Sequence, residues 1–263
     1  MVRFVHLTDT HLGATPYFSL YGRQTLAALQ RVVSVINDFP FEIDFVLHTG
    51  DVADDGSSEA YQLAREAMGR LKAPVKYVAG NHDDAERLQR IVIGDPNPLP
   101  RLDYVFDVRG VRVVVLDTRG PVDPAGFVEP QQLQWLRTHC TFEGPPLVVA
   151  MHHSPVELDT PWLDTPPPGW NGKHMFIDNA AELLDVLRPA RLRLRGVFSG
   201  HVHGAFQVMR DGILFVSGQS TFGPLTSLPD TDRPVGDSTQ LPLFNIVTVT
   251  EDSTIVRPRV VLG

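Results

Sequence analysis

Arg3-Phe4-Val5-His6-Leu7, running into Thr8-Asp9-Thr10-His11, is the stretch on which the fold turns. An apolar run as long as a buried strand stops at a short polar loop that carries a carboxylate and an imidazole. The same pattern returns four times. Residues 44–48 end at Thr49-Gly50-Asp51, residues 75–78 at Gly80-Asn81-His82-Asp83, residues 147–151 at His152-His153, and residues 196–199 at Gly200-His201-Val202-His203. Amphipathic stretches lie between these runs. In residues 23–37, Leu26, Leu29, Val33 and Ile36 recur at helical spacing. Residues 57–71 read as a helix capped by Ser57 or Ser58, with Tyr61, Leu63, Ala64, Met68 and Leu71 on its apolar face. A further helix is expected over residues 130–139. Strands that alternate with helices in this way predict an α/β protein.

Residues 104–107 and 111–116 flank Arg109-Gly110 as a hairpin. Strands are expected at 204–209, 213–217, 244–250 and 254–261, so the C-terminal part is β-rich. Two stretches lack periodicity: residues 154–173, which hold Pro155, Pro161, Pro166, Pro167, Pro168, Trp162 and Trp170, and residues 223–242. Loops of that length in a compact domain are usually functional. One domain over residues 1–263 is expected, with residues 204–263 a candidate oligomer interface or substrate cap.

Hydrophobic residues at 43% and charged residues at 21% exclude a disordered, collagen-like or coiled-coil chain. Against 31 Asp and Glu stand 23 Lys and Arg, a net charge of -8 with no basic cluster. That balance excludes non-specific binding to a nucleic-acid backbone or an anionic membrane, and disfavours a nuclease acting on long polymers. Cys140 is the single cysteine, so no internal disulfide forms and nothing argues for an oxidising compartment. The first 13 residues lack the features of a signal peptide. No segment approaches the roughly 20 apolar residues that span a bilayer. A cytoplasmic location is expected.

Each polar motif is weak alone: with 10 His in the chain, a His-x-His pair is expected about 0.4 times by chance. Placement changes the odds. Asp9, His11, Asp51, Asn81, His82, His152, His201 and His203 all fall just past the ends of five expected strands, the edge of an α/β sheet where ligands bind. Packing does not demand Asp, Asn and His there. Imidazole nitrogen with carboxylate and amide oxygen suits Zn, Mn, Fe or Ni, and the absence of thiolates argues against a structural zinc site. Seven ligand groups are too many for one ion and suit two. A shared carboxylate would hold two ions about 3.5–4 Å apart, the spacing that clamps the attacking and leaving oxygens of a phosphoryl displacement. Two divalent ions, two aspartates and a bridging hydroxide leave a single positive charge, complementary to a phosphodiester monoanion. Asn81 fills a ligand position without cancelling that charge.

Asp9-x-His11, Gly50-Asp51, Gly80-Asn81-His82-Asp83, His152 and Gly200-His201-x-His203 resemble, in order, the five signature blocks of the calcineurin-like metallophosphoesterases, over residues 3–210. Met151-His152-His153-Ser154-Pro155 and Trp162-Leu163-Asp164 are similar, more narrowly, to the bacterial class III cyclic nucleotide phosphodiesterases and their glycerophosphodiesterase relatives. The resemblance implies a four-layer α/β/β/α sandwich of two mixed sheets flanked by helices. It implies two divalent or mixed-valence ions, Fe, Mn or Zn, one held by Asp9, His11 and His203, the other by Asn81, His152 and His201, with Asp51 bridging. Asp51, Asn81 and His82 are the implied catalytic residues: a metal-bridging hydroxide attacks phosphorus and His82 protonates the leaving oxygen. His82, Asn81 and His203 are the implied substrate contacts. The implied substrates are small phosphodiesters, 3′,5′-cyclic nucleotides and chiefly cyclic AMP. A glycerophosphodiesterase or a broad phosphodiesterase and phosphomonoesterase is the alternative, and a non-catalytic scaffold a third reading. Homodimers or higher homo-oligomers occur among such relatives. No His follows His203, so a substrate-contacting His that relatives carry in the C-terminal segment has no counterpart.

Other residues read as structural. His6 and His48 sit inside strands and pack, while His139 and His174 lie at the surface. Asp83 and Asp84 are expected as the cap and first-turn acid of a helix over residues 85–90, with orientation of a ligand His as the alternative. Trp162, Trp170 and Phe222 anchor their loops, or else line a substrate pocket.

Overall fold

The computed structural model describes residues 1–165, 174–223, 225–237 and 240–262. The chain runs through β1 (Val2–Leu7), β2 (Ser19–Leu20), β3 (Arg23–Gln24), α1 (Thr25–Asn37), β4 (Phe45–His48), α2 (Ser58–Met68), β5 (Val75–Tyr77) and α3 (Ala85–Arg87). It continues through β6 (Tyr104–Val108), β7 (Val111–Val115), α4 (Pro130–His139), β8 (Leu147–Ala150), α5 (Pro161–Asp164) and α6 (Ala180–Leu187). Last come β9 (Leu194–Ser199), β10 (Phe206–Arg210), β11 (Ile213–Ser217), β12 (Leu243–Val249) and β13 (Thr254–Val260).

Two mixed sheets result, in the orders β13-β12-β1-β4-β5 and β10-β11-β9-β8-β7-β6. β1, β4 and β5 are parallel in the first, and β7, β8, β9 and β11 in the second. Alternation along each strand sends neighbours to opposite layers. Phe4 joins Phe45, Leu47, Val113, Val148, Phe198 and Val247 between the sheets, whereas Val5 and Leu7 face Leu29, Val33, Tyr61 and Ala64 of α1 and α2. On the far side, Leu133 and Leu136 of α4 and Leu183 and Leu187 of α6 cover Leu147, Val149 and Val197. This is the four-layer α/β/β/α sandwich. Phe4 stacks on Phe45 with ring centroids 4.8 Å apart and meets Phe198 edge-on at 5.2 Å. Truncating such a ring to Ala costs about 3–5 kcal/mol.

Several boundaries differ from the expectation, each for a local reason. α1 starts at Thr25 rather than near Arg23, because Arg23 and Gln24 pair with Leu20 and Ser19 across a turn at Tyr21 and Gly22. The helix expected over residues 85–90 is α3 followed by a π-helical turn, Leu88–Ile93, stopped by Gly94 at φ 83°. α6 has two turns, too few for a periodic signal, and α5 places a short helix in the proline-rich stretch. Pro166, Pro167, Pro168 and Trp170 lie outside the described residues. The β-rich C-terminal part is divided between the sheets: β10 and β11 complete the second, β12 and β13 the first. No described helix is long and apolar enough to cross a membrane.

Candidate metal centre

The ends of β1, β4, β5, β8 and β9 converge on one edge, and the residues that follow leave strand geometry at once. Asp9, His11, Asp51, His201 and His203 all adopt positive φ, between 42° and 73°. Asp and His enter this region more readily than most residues, and each such residue costs about 1–3 kcal/mol that the surroundings must offset. Backbone ties supply the support: Asp9 N–H donates to Gly50 O, His11 N–H to Asp51 O and Gly200 N–H to His152 O, each at 3.0 Å. Two glycines permit the crowding. A Cβ at Gly50, whose φ is 105°, would lie 2.4 Å from His152 Nδ1, and one at Gly80 would lie 2.1 Å from Asp51 Oδ1.

The structure brings all the expected site residues together. Donor atoms of Asp9, His11, Asp51 and His203 lie within 4.8 Å of one another, as do those of His152, His153 and His201. Asn81 Oδ1 is 3.1 Å from His152 Nε2. Asp51 stands between the groups, with Oδ2 at 3.4 Å from His11 Nε2 and 3.2 Å from His152 Nε2. His82 N–H donates to the other oxygen of Asp51 at 3.0 Å. Asn81, His82 and His203 line a cavity of about 440 Å³ that opens over this cluster.

Proton bookkeeping tests whether cations fit. Nδ1–H of His11 donates to Asp54 Oδ1 at 3.0 Å, which directs Nε2 at His203 Nε2, 3.1 Å away. Nδ1–H of His152 donates to Thr49 O at 2.7 Å, which turns its Nε2 toward Asp51 and Asn81 Oδ1, where a proton or a metal ion can sit. His201 Nε2 is buried without a partner. Imidazole nitrogens and carboxylate oxygens that converge in this way need protons or cations between them, and imidazole with carboxylate and amide oxygen is a donor set for divalent metals. The residues fit.

The electrostatics divide the imidazoles. Burial, with the neighbouring His153 and His152 for His201 and His11 for His203, drives both well below the ordinary imidazole range, so both stay neutral as ligands must. Burial pushes Asp9 up to about 6 against the pull of His152 and His11. Burial acts the same way on Asp51, but the charges of His152 and His82 outweigh it and hold that carboxyl well below its usual range. Burial would lower His152, yet Asp51 beside it raises it to about 9.

Three residues of the site were not singled out correctly from sequence. Asp54 orients His11 through its carboxylate and accepts from His82 Nδ1 through its carbonyl at 2.6 Å; its place three positions after Asp51 was the available signal. His153 is fully buried against Thr118 Oγ1 at 2.9 Å, with its ring centroid 4.4 Å from that of His201. Asp83 corrects the helix-start reading: Asp84 is the cap, accepting from Arg87 N–H, whereas Asp83 is buried and receives Val52 N–H, Ala53 N–H, Gly80 N–H and Tyr61 O–H. It therefore ties the loop of Asp51 to the loop of Asn81. Among the structural readings, His6 bonds Thr49 Oγ1 and His48 bonds Thr10 Oγ1, both buried. His139 and His174 are half-buried. Trp162 is buried and anchors its loop by donating to Thr226 O. Phe222 is also buried, and its ring meets His11 and His203 edge-on.

The chain is similar to known proteins. A 3′,5′-cyclic adenosine monophosphate phosphodiesterase, CpdA, of Pseudomonas aeruginosa is 35% identical over 236 residues, covering 88% of this chain and 82% of that protein. Its namesake in Escherichia coli K12 is 29% identical, covering 84% and 76%. Among solved structures, a dimetal phosphatase of Danio rerio superposes with a TM-score of 0.67 at 16% identity, covering 99% of this chain and 96% of its own. A purple acid phosphatase of Lupinus luteus gives a TM-score of 0.64 at 14% identity, covering 98% and 51%. These structures share the fold. The sequence profile of the calcineurin-like phosphoesterases matches residues 2–205, and with it the strand-end blocks that meet at this centre, so the chain belongs to that family of enzymes.

Proposed function

We propose that the chain hydrolyses small phosphodiesters at a centre of two cations, with 3′,5′-cyclic nucleotides, chiefly cyclic AMP, as substrates. The observation that carries the reading is Asp51, whose one carboxylate oxygen lies 3.4 Å and 3.2 Å from imidazole nitrogens of two separate donor groups. Asp9, His11 and His203 would hold one Fe, Mn or Zn ion and Asn81, His152 and His201 the other, with Asp51 shared. Such ions supply Lewis acidity, charge neutralisation at phosphorus and a lowered pKa for water. The chain's own groups do the rest. His82 is exposed at the cavity and held at both ends: its backbone N–H by Asp51 and its Nδ1 by Asp54 O. Nε2 is therefore the atom that carries a proton to the leaving oxygen. Asn81 and His203 line the same cavity and meet the phosphate. The cyclic nucleotide assignment is supported by the names of the relatives in Pseudomonas and Escherichia.

The same reading treats residues 1–263 as one cytoplasmic domain, in keeping with the single buried cysteine. Strands β10 to β13 are the surface proposed for homo-oligomer contacts, and the loop from Phe222, whose Leu225 reaches the cavity, is the proposed substrate cap.

The test is metal content together with Mn-dependent hydrolysis of bis(p-nitrophenyl) phosphate, cyclic AMP and glycerophosphodiesters by wild type and Asn81→Ala. Two metals per chain and diester hydrolysis that collapses in the variant are expected. A preference for glycerophosphodiesters over cyclic AMP would move the substrate to the neighbouring class. Activity indifferent to Asn81 would remove the two-cation reading.

A further inference from the structure

The phosphodiesterase reading accounts for the polar floor of the cavity and leaves its apolar wall without a role. Leu20 and Tyr21 of the β2–β3 hairpin, Pro124, Met175 and Leu225 form that wall. They come from separate stretches of chain, and none contributes a metal-binding atom. Tyr21 is 54% exposed at the rim although it lies beside buried Phe222. Its ring is within 16° of parallel to that of Phe222 at 6.4 Å, and Phe222 meets His11 and His203 edge-on at 5.8 Å and 5.6 Å. A line of packed rings thus runs from the histidines of the cluster through buried Phe222 to Tyr21 at the rim.

The hairpin that presents Tyr21 is fastened in place. Arg23 donates to Phe222 O at 3.1 Å and to Gln240 O at 2.7 Å, which pins β3 to the loop that carries Phe222. Tyr21 itself sits at φ 47°, a conformation that a bulky side chain seldom adopts. Fixed, exposed aromatic area beside a reactive polar floor is what binds a flat π-faced group, because stacking needs a preformed surface and little hydrogen-bond readout. A cavity of about 440 Å³ has room for such a group beyond the phosphate.

We infer that Tyr21 is a specificity-determining residue: it and the apolar wall form a shelf for a planar aromatic substituent of the substrate, so that the enzyme selects phosphodiesters bearing a ring such as a nucleobase. The inference rests on the diesterase reading but asks more of the site, since metal coordination alone would treat all small diesters alike. The ring of Tyr21, rather than its hydroxyl, does the selecting.

The experiment compares Mn-loaded wild type, Tyr21→Ala and Tyr21→Phe on cyclic AMP, bis(p-nitrophenyl) phosphate and ring-free glycerophosphoethanolamine. In the Ala variant KM rises roughly tenfold for the two ring-bearing diesters, and at least several times more than for the ring-free one, while the Phe variant keeps wild-type KM values. A binding readout independent of turnover accompanies it: the affinity for adenosine 5′-monophosphate relative to ribose 5-phosphate, measured by calorimetry, falls by about the same factor in Tyr21→Ala. Equal changes on all three diesters, or a Phe variant as impaired as the Ala variant, overturn the shelf while leaving the diesterase reading intact. Failure of wild type to hydrolyse any diester overturns the diesterase reading itself.

Discussion

The first sheet and the second end on opposite sides of the same centre, yet they bring different chemistry to it. β1, β4 and β5 deliver Asp9, Asp51 and Asn81 with one imidazole at the cluster, His11, whereas β8 and β9 deliver only imidazoles, His152, His201 and His203. Carboxylate oxygen thus sits on one side and imidazole nitrogen alone on the other. The anionic side supplies the attraction for a divalent cation, and the imidazole side narrows the choice to metals that accept nitrogen. Support differs as well: Asp54 and Asp83 brace the first side with carboxylates, while Thr49 O and Thr118 Oγ1 brace the second without charge.

The contrast can be broken most directly at Asp51, which serves both sides. Asp51→Asn is expected to lower hydrolysis on the order of a thousandfold and to reduce bound metal below two per chain, by elemental analysis. Retention of full metal content and activity would mean that the sides hold their ions independently.

Next in size is acid stability, to which the buried imidazoles of both sides contribute, His201 and His203 on the second and two more on the first. His6 and His48 are buried in β1 and β4, and burial lowers both to about 3. Unfolded, each binds a proton below about pH 6.5, so between pH 6.5 and pH 3 the unfolded chain holds more protons than the folded one and stability falls as pH falls. By pH 5 the loss is about 2 kcal/mol for each His. Urea unfolding at pH 7 and pH 5 measures it, and equal stabilities would show that these imidazoles are not kept neutral.

A smaller effect separates the braces. Asp54→Ala frees the His11 ring and should weaken metal binding about 10- to 100-fold in chelator competition. Thr118→Val, which unlinks His153 on the second side, should weaken it less. Equal losses would erase the distinction between charged and uncharged support.

The smallest is the dependence of metal affinity on pH. A cation must displace the protons that the metal-free protein holds on Asp9, raised to about 6, and on His152, raised to about 9. Affinity therefore climbs as pH rises from 6 to 9, by up to about tenfold per unit for each proton released. Calorimetry in buffers of different ionisation enthalpy counts those protons. No release at pH 7 would place His152 in its neutral form before metal binds.

What could be read from sequence alone was whatever a short stretch of chain specifies by itself. Phe4-Val5-His6-Leu7 before Thr8-Asp9 announces a buried strand and its end, and Pro130 with Gln132 announces α4, because periodicity and capping are local. The seven residues proposed to bind metal were legible for the same reason: each lies within four positions of the end of an apolar run. Other features depend on partners distant in sequence. Asp83 looks like the start of a helix until Val52 N–H, Ala53 N–H and Tyr61 O–H arrive to bury it. Asp54 looks like a loop acid until His11 lies beside it, and Tyr21 like an exposed turn residue until Phe222, 201 positions later, stacks beside it. Residue type and local spacing thus determined which groups could bind metal. Only tertiary packing decided which lone pairs converge and which ring forms the cavity wall, because those depend on contacts that no local pattern encodes.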